Sequence, residues 1–260
     1  MRNGSFAVAV FVAATAVSLL QASPIRHFHQ VVALDVNGHL AIDTHNGSVT
    51  VTTWKQPNVQ IDARIEADPQ SDTPGDVEKT NIKVTGSGSS VRIESDYSAV
   101  SSRVSWLGFS IGGSQSNLPL VHYTITMPAT AALNIDEHNS KVMVTGLRND
   151  LKIDGHNGAI AVRDHGGAAK VETHNGSISV AFARFNRASR FETHNGDVEV
   201  RMPAGSRFDL IAEGHRSRPV TSDFALTGSR EDSDVSAHVN GGGPELRFST
   251  HNGMLHLVKQ

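Results

Sequence analysis

The sequence predicts an all-β protein, a β-solenoid-like stack of short strands with a repeat of about 18–20 residues. Three observations lead there. His-Asn-Gly recurs in one setting: DTHNGSV (Asp43 to Val49), DGHNGAI (Asp154 to Ile160), ETHNGSI (Glu172 to Ile178), ETHNGDV (Glu192 to Val198) and STHNGML (Ser249 to Leu255). Apolar residues flank each copy at every second position, the period of a strand rather than a helix. Aromatics make up only 5 % of the chain while Gly numbers 23, which suits short strands joined by many turns.

Residues 1–22 read as a cleaved secretory signal. Arg2 precedes the apolar run from Phe6 to Leu20, and Ala22 is a small residue at the cut. That run is short for a membrane span, and no second one follows, so an exported chain is expected, periplasmic or at the cell surface. There are no cysteines, hence no disulfides and no thiolate zinc site. The formal net charge of −3 carries no basic footprint for nucleic acid.

The repeat domain is expected over residues 31–258, because VNGHLAIDTHNGSVTV (Val36 to Val51) resembles the closing VNGGGPELRFSTHNGMLHL (Val239 to Leu257). Residues 59–128 differ. Their alternating runs are longer, VQIDARIEA (Val59 to Ala67), SVRIESDYS (Ser90 to Ser98) and LVHYTITMP (Leu120 to Pro128), and read as a β section capping the start of the stack. Trp106 and Phe109 fall in a loop of this section and are expected to anchor it on the core.

From Asp136 onward the pace is steady. DEHNSKV (Asp136 to Val142) is a degenerate copy, His138, His156 and His174 are 18 apart, and His194 follows 20 later. AEGHRSR (Ala212 to Arg218) is a weaker echo. Inward columns are expected three and five residues before each His, as at Ile153 and Leu151, and four and six after it, as at Ile160 and Val162. Asn-Gly makes the turn between the two strands, since both residues tolerate positive φ. Asp164-His165-Gly166-Gly167 reads as a turn between repeats. Two arrangements fit. In a stack, each copy is one rung and equivalent residues form ladders at the ~4.8 Å strand spacing. In an antiparallel meander, each Asn-Gly is a hairpin turn and Val171 faces Val180. In-register columns favour the stack.

VHYTITMPATAALNIDEHNSKVMVTGLRNDLKIDGHNGAIAVRDHGGAAKVETHNGSISV (Val121 to Val180) and the closing GGPELRFSTHNGMLHL (Gly242 to Leu257) resemble the adhesin-like β-strand-repeat proteins of bacterial envelopes, also called Toastrack domains. The resemblance implies an exported or surface domain, an adhesin or an envelope-stress sensor, with no catalytic residues. The chain departs from that pattern by placing His before Asn-Gly nearly every time.

An acid sits two residues before most of these histidines, on the same strand face. Asp43, Asp136, Asp154, Glu172 and Glu192 therefore pair in sequence with His45, His138, His156, His174 and His194, while His251 has Ser249. Both columns are expected to point outward. Three readings stand: a solvated face of offsetting charges, a zinc or other transition-metal site in which adjacent rungs share an ion, and a pH-responsive surface. No nucleophile–base motif is present, so an enzyme, such as a polysaccharide-acting solenoid, is not expected. The expected role is binding or scaffolding in the envelope, with a protein or glycan partner and no cofactor. A metal- or pH-responsive sensor is the alternative.

Overall fold

The computed structural model describes residues 24–69, 76–100, 118–214, 220–231 and 233–260. The expected signal segment, the Trp106–Phe109 loop and His215 of the weak echo lie outside these residues. Apart from the four-residue helix α1 (Asp76–Lys79), the elements described are strands.

Each middle repeat is one rung with two arms. β6 (Leu151–Asn157) and β7 (Ile160–His165) form one rung, β8 (Ala169–Asn175) and β9 (Ile178–Phe182) the next, then β10 (Ser189–Asn195) and β11 (Val198–Met202). First arms pair in parallel with first arms: Ile153 sits beside Val171, and Val171 beside Phe191. Second arms pair likewise, with Ile160 beside Ile178 and Ile178 beside Val198. The hairpin alternative is not what forms, because Val171 pairs across rungs and not with Val180. The stack continues upward through β5 (Ala132–Thr145), which contains both arms of its rung, to β1 (Ile25–Trp54), whose residues from His39 onward do the same. The sheet does not close on itself.

The strands outside the regular rungs cover the two ends. β3 (Asn81–Asp96) and β4 (Leu120–Pro128) pair in parallel with the two arms of β1, while β2 (Asn58–Glu66) lies antiparallel between β4 and the first residues of β1. At the other end the stacking order departs from chain order. β16 (Glu245–Asn252) and β17 (Leu255–Lys259) insert between the β10/β11 rung and the arms β12 (Phe208–Gly214) and β13 (Val220–Ser222). β15 (Asp234–Val239) and β14 (Thr227–Glu231) close this end with antiparallel pairing.

The inward columns of both arms form a single buried cluster, including Leu133, Ile135, Val142, Val144 and their equivalents in the other rungs, with Ser189 the polar exception in the Leu133 column. Larger rings fill the lower end, where Phe182, Phe185, Phe208 and Phe224 meet edge to face at centroid distances of 5.1, 5.7 and 5.6 Å. His165, expected in a turn, is fully buried: its Nε2 lies 3.1 Å from the Ala168 carbonyl, and its ring packs against Phe182. The turn itself follows, at Gly166 and Gly167, and the positive φ of Asp164, 54°, falls on the irregularity in β7 pairing between Val162 and His165.

Candidate functional site

The corner between the arms fixes the geometry of the outer face. In the His-Asn-Gly corners the positive φ falls on the glycine, 126° at Gly47, 151° at Gly158, 156° at Gly176 and 154° at Gly196, with Gly253 the exception. The asparagines do not, which corrects the expectation that both residues serve the turn's φ. A Cβ on Gly176 would lie 1.9 Å from the Gly158 carbonyl oxygen, so backbone approach between rungs also demands glycine. The Asn has a different task. Each side-chain amide donates to the Asn oxygen of the adjacent rung, in an unbroken run from Asn252 through Asn195, Asn175, Asn157 and Asn139 to Asn46, at 2.8–3.0 Å. Every corner is thereby locked to the next.

Because the corners are in register, the residues before them are too. His45, His138, His156, His174, His194 and His251 stack in one column, with successive centroids 4.6, 4.8, 5.1, 4.8 and 4.7 Å apart and ring planes within 9° of parallel. This is the strand spacing itself. Tyr97 closes the upper end, edge-on to His45 at 6.2 Å. All but His45 are exposed. Burial holds the His45 imidazole below its ordinary value, as does the neighbouring His138, with Asp43 acting in the opposite sense.

The acids form the adjacent column, Asp43, Asp136, Asp154, Glu172 and Glu192, with Glu94 beside Asp43 at one end and Ser249 beside Glu192 at the other. Beyond them runs a third row that the sequence reading missed: Lys152, Lys170, Arg190 and Arg247 on four consecutive rungs. Lys152, Lys170 and Arg190 each pair with the acid two residues on, as Lys170 does with Glu172 at 2.9 Å, and Arg247 pairs with Glu245 at 3.0 Å. The signal was available, since these cations stand four residues before each His.

For a shared ion, two Zn–N bonds of about 2.0–2.1 Å set the reach between neighbouring ring nitrogens, and here the stacked ring centroids lie 4.6–5.1 Å apart. Among the described residues, no group of three or more His, Asp or Glu side chains is placed to hold a metal ion.

Two further arrangements escaped the sequence reading. In the column one residue before the His, Thr44, Thr173, Thr193 and Thr250 are buried, but Glu137 and Gly155 interrupt them. Glu137 is 7 % exposed, its Oε2 accepts from the Ser140 amide at 2.6 Å, and its Oε1 has no hydrogen-bond partner. Burial pushes its carboxyl up to about 7 against the pull of the Ser140 and His156 amides. Gly155 makes the room, since a Cβ there would lie 2.5 Å from Glu137 Oε1. The resulting notch, about 340 Å³, is faced by Asp43, His45, Asp136, His138 and Asp154. On the second arms, Ser48 Oγ lies 2.9 Å from His122 Nδ1, and His122 Nε2 lies 3.0 Å from Glu66 Oε1. This chain of hydrogen bonds lies across the paired strands β1, β4 and β2, and Arg64 also binds Glu66.

No family model and no curated protein matches the chain. Among solved structures, a protein from Clostridium sporogenes provisionally described as a cell adhesion protein is similar at 10 % identity and a TM-score of 0.49, over 90 % of this chain and 100 % of its own. One from Bacteroides fragilis, provisionally described as an adhesin, is similar at 12 % identity and a TM-score of 0.43, over 90 % of this chain and 97 % of its own. No described helix is long and apolar enough to cross a membrane.

Proposed function

We propose that this is a non-catalytic, adhesin-like binding domain of the bacterial envelope or cell surface, presenting the stacked Asp/Glu–His face of its first arms to a protein or glycan partner. The observation that carries this reading is the unbroken column of six parallel imidazoles. The inward apolar residues and the Asn-Gly corners build the stack, whereas the histidines line its outer face. Held on a paired sheet, they form a long surface with little freedom left to lose on binding.

The same column supports a second reading, a pH-responsive face. Two imidazolium charges one rung apart repel by about 1–3 kcal/mol for effective dielectrics between 80 and 20, so acid would set mutually repelling charges along the face.

One experiment addresses both. Labelled full chain is bound to isolated bacterial envelopes at pH 7.5 and pH 5.5, beside a variant carrying His138→Gln, His156→Gln, His174→Gln and Glu172→Gln. Saturable binding that falls at least tenfold in the variant, with unchanged melting, is expected. Equal binding by the two proteins refutes the role of this face. Binding that changes with pH only in the wild type supports the sensor reading, and identical pH dependence in both refutes it.

A further inference from the structure

Along the starts of the first arms runs a groove of about 620 Å³ that spans six rungs, from His39 to Arg247. Ala132, Ala168 and Ala188 keep its floor low, and Lys152, Lys170, Arg190 and Arg247 stand along it, one cation per rung. The geometry points to a binding site for a linear acidic glycan, a chain of sugar rings carrying a carboxylate or sulfate on successive residues. This deepens the binding reading above and rests on it.

Charge is the first argument. The chain as a whole has a net charge of −3, yet this row holds four consecutive cations. Asp154, Glu172 and Glu192, the ion-pair partners of the first three, lie outside the groove. Asp150, which does line it, is already held by Arg187 at 2.6 Å. Glu245 also lines the groove and is engaged by Arg247 at 3.0 Å, so both acids at the groove are held in ion pairs, and Arg190 uses one guanidinium nitrogen on Glu192, leaving other donors for a ligand oxyanion.

Spacing is the second argument. The cations repeat at one strand spacing, ~4.8 Å. A sugar chain linked through opposite corners advances by about one rung per ring, and where its screw turns alternate acid groups away it still meets every second cation. Same-face side chains of an extended peptide repeat at about 6.6–6.8 Å and lose register within two or three rungs. A single nucleic-acid strand needs aromatic platforms for its bases, and no Phe, Tyr or Trp lines this groove. The same lack leaves a neutral sugar face nothing to stack on, so recognition has to run through charge.

The test is calorimetric titration of the full chain with linear oligogalacturonates of two to eight residues. Uncharged cello-oligosaccharides and a polyglutamate peptide of matched length serve as comparisons. Affinity for the uronates should rise about tenfold between two and four residues, level off beyond the fourth cation, and weaken with added salt. Lys170→Gln/Arg190→Gln should lose at least tenfold. Ala188→Trp, at an exposed position, should block the groove without unfolding the protein, while Lys141→Gln, at an exposed cation outside the groove, should leave the affinity unchanged. Uronate binding no tighter than that of the neutral oligosaccharide or of polyglutamate overturns the proposal, as does insensitivity to both groove variants. Envelope binding that persists while uronates fail to bind overturns this inference alone and leaves the adhesin-like reading standing.

Discussion

Replacing Glu137 with Gln keeps the shape of the side chain and removes its proton equilibrium, which gives a measurable consequence for stability. The carboxyl is buried with one oxygen unpartnered and is raised from 4.5 to about 7 in the folded protein. Its acid form is therefore favoured by folding. As pH rises past 4.5 the unfolded chain ionises first, so the stability this group supplies is complete below that value and is lost as pH climbs through about 7. At 1.36 kcal/mol per tenfold, the loss amounts to about 3 kcal/mol. Asp43, His45, Asp136, His138 and Asp154 also face the notch and are common to both proteins, so the difference between variant and wild type isolates Glu137. Urea unfolding of both at intervals from pH 4 to pH 8.5 is the assay. The two should be within about 1 kcal/mol at pH 4, with the variant gaining about 3 kcal/mol over the wild type by pH 8.5, roughly 6–12 °C in Tm. A difference that stays flat across this range, or wild type gaining on the variant as pH rises, refutes the burial argument.

The ladder and the corners give two more, with Gly205 as an open-position control. Asn175→Ala removes one hydrogen bond to Asn157 and one from Asn195, at 2.9 and 2.8 Å, and should cost about 1–3 kcal/mol in urea unfolding. Gly176→Ala drives a methyl against the Gly158 carbonyl and should prevent the corner from closing, read as loss of soluble folded protein. Gly205→Ala meets nothing within 4 Å and should stay within about 0.5 kcal/mol of wild type.

Much of the arm structure was legible in the residues. Leu151, Ile153, Ile160 and Val162 alternate with polar neighbours, and all four are buried. The acid and His columns were legible for the same reason, because a period of two fixes which side chains share a face. The cation row was equally periodic and escaped notice because each Lys or Arg is unremarkable within its own strand. It becomes a row only when rungs are laid side by side. The Glu137–Gly155 exchange could have been found by comparing positions 18 apart, where a large residue replaces Thr and the smallest one follows. The Ser48–His122–Glu66 contact had no such signal, since its members come from three strands brought together by pairing alone.

By itself the sequence determined the β class, the rung length, the inward columns and the outward His, since all of these follow from local spacing and from the alternation of side chains along a strand. Rung or hairpin was decided only in three dimensions. The local pattern around Asn-Gly is the same in both, and the choice depends on which distant strand supplies the backbone partners. The tertiary structure also decided that the last copy, at His251, slots between the rungs of His194 and β12, because hydrogen bonding between strands is indifferent to chain order. From that insertion comes the unbroken column: His251 stacks on His194 at 4.7 Å, and the six imidazoles stand in one line.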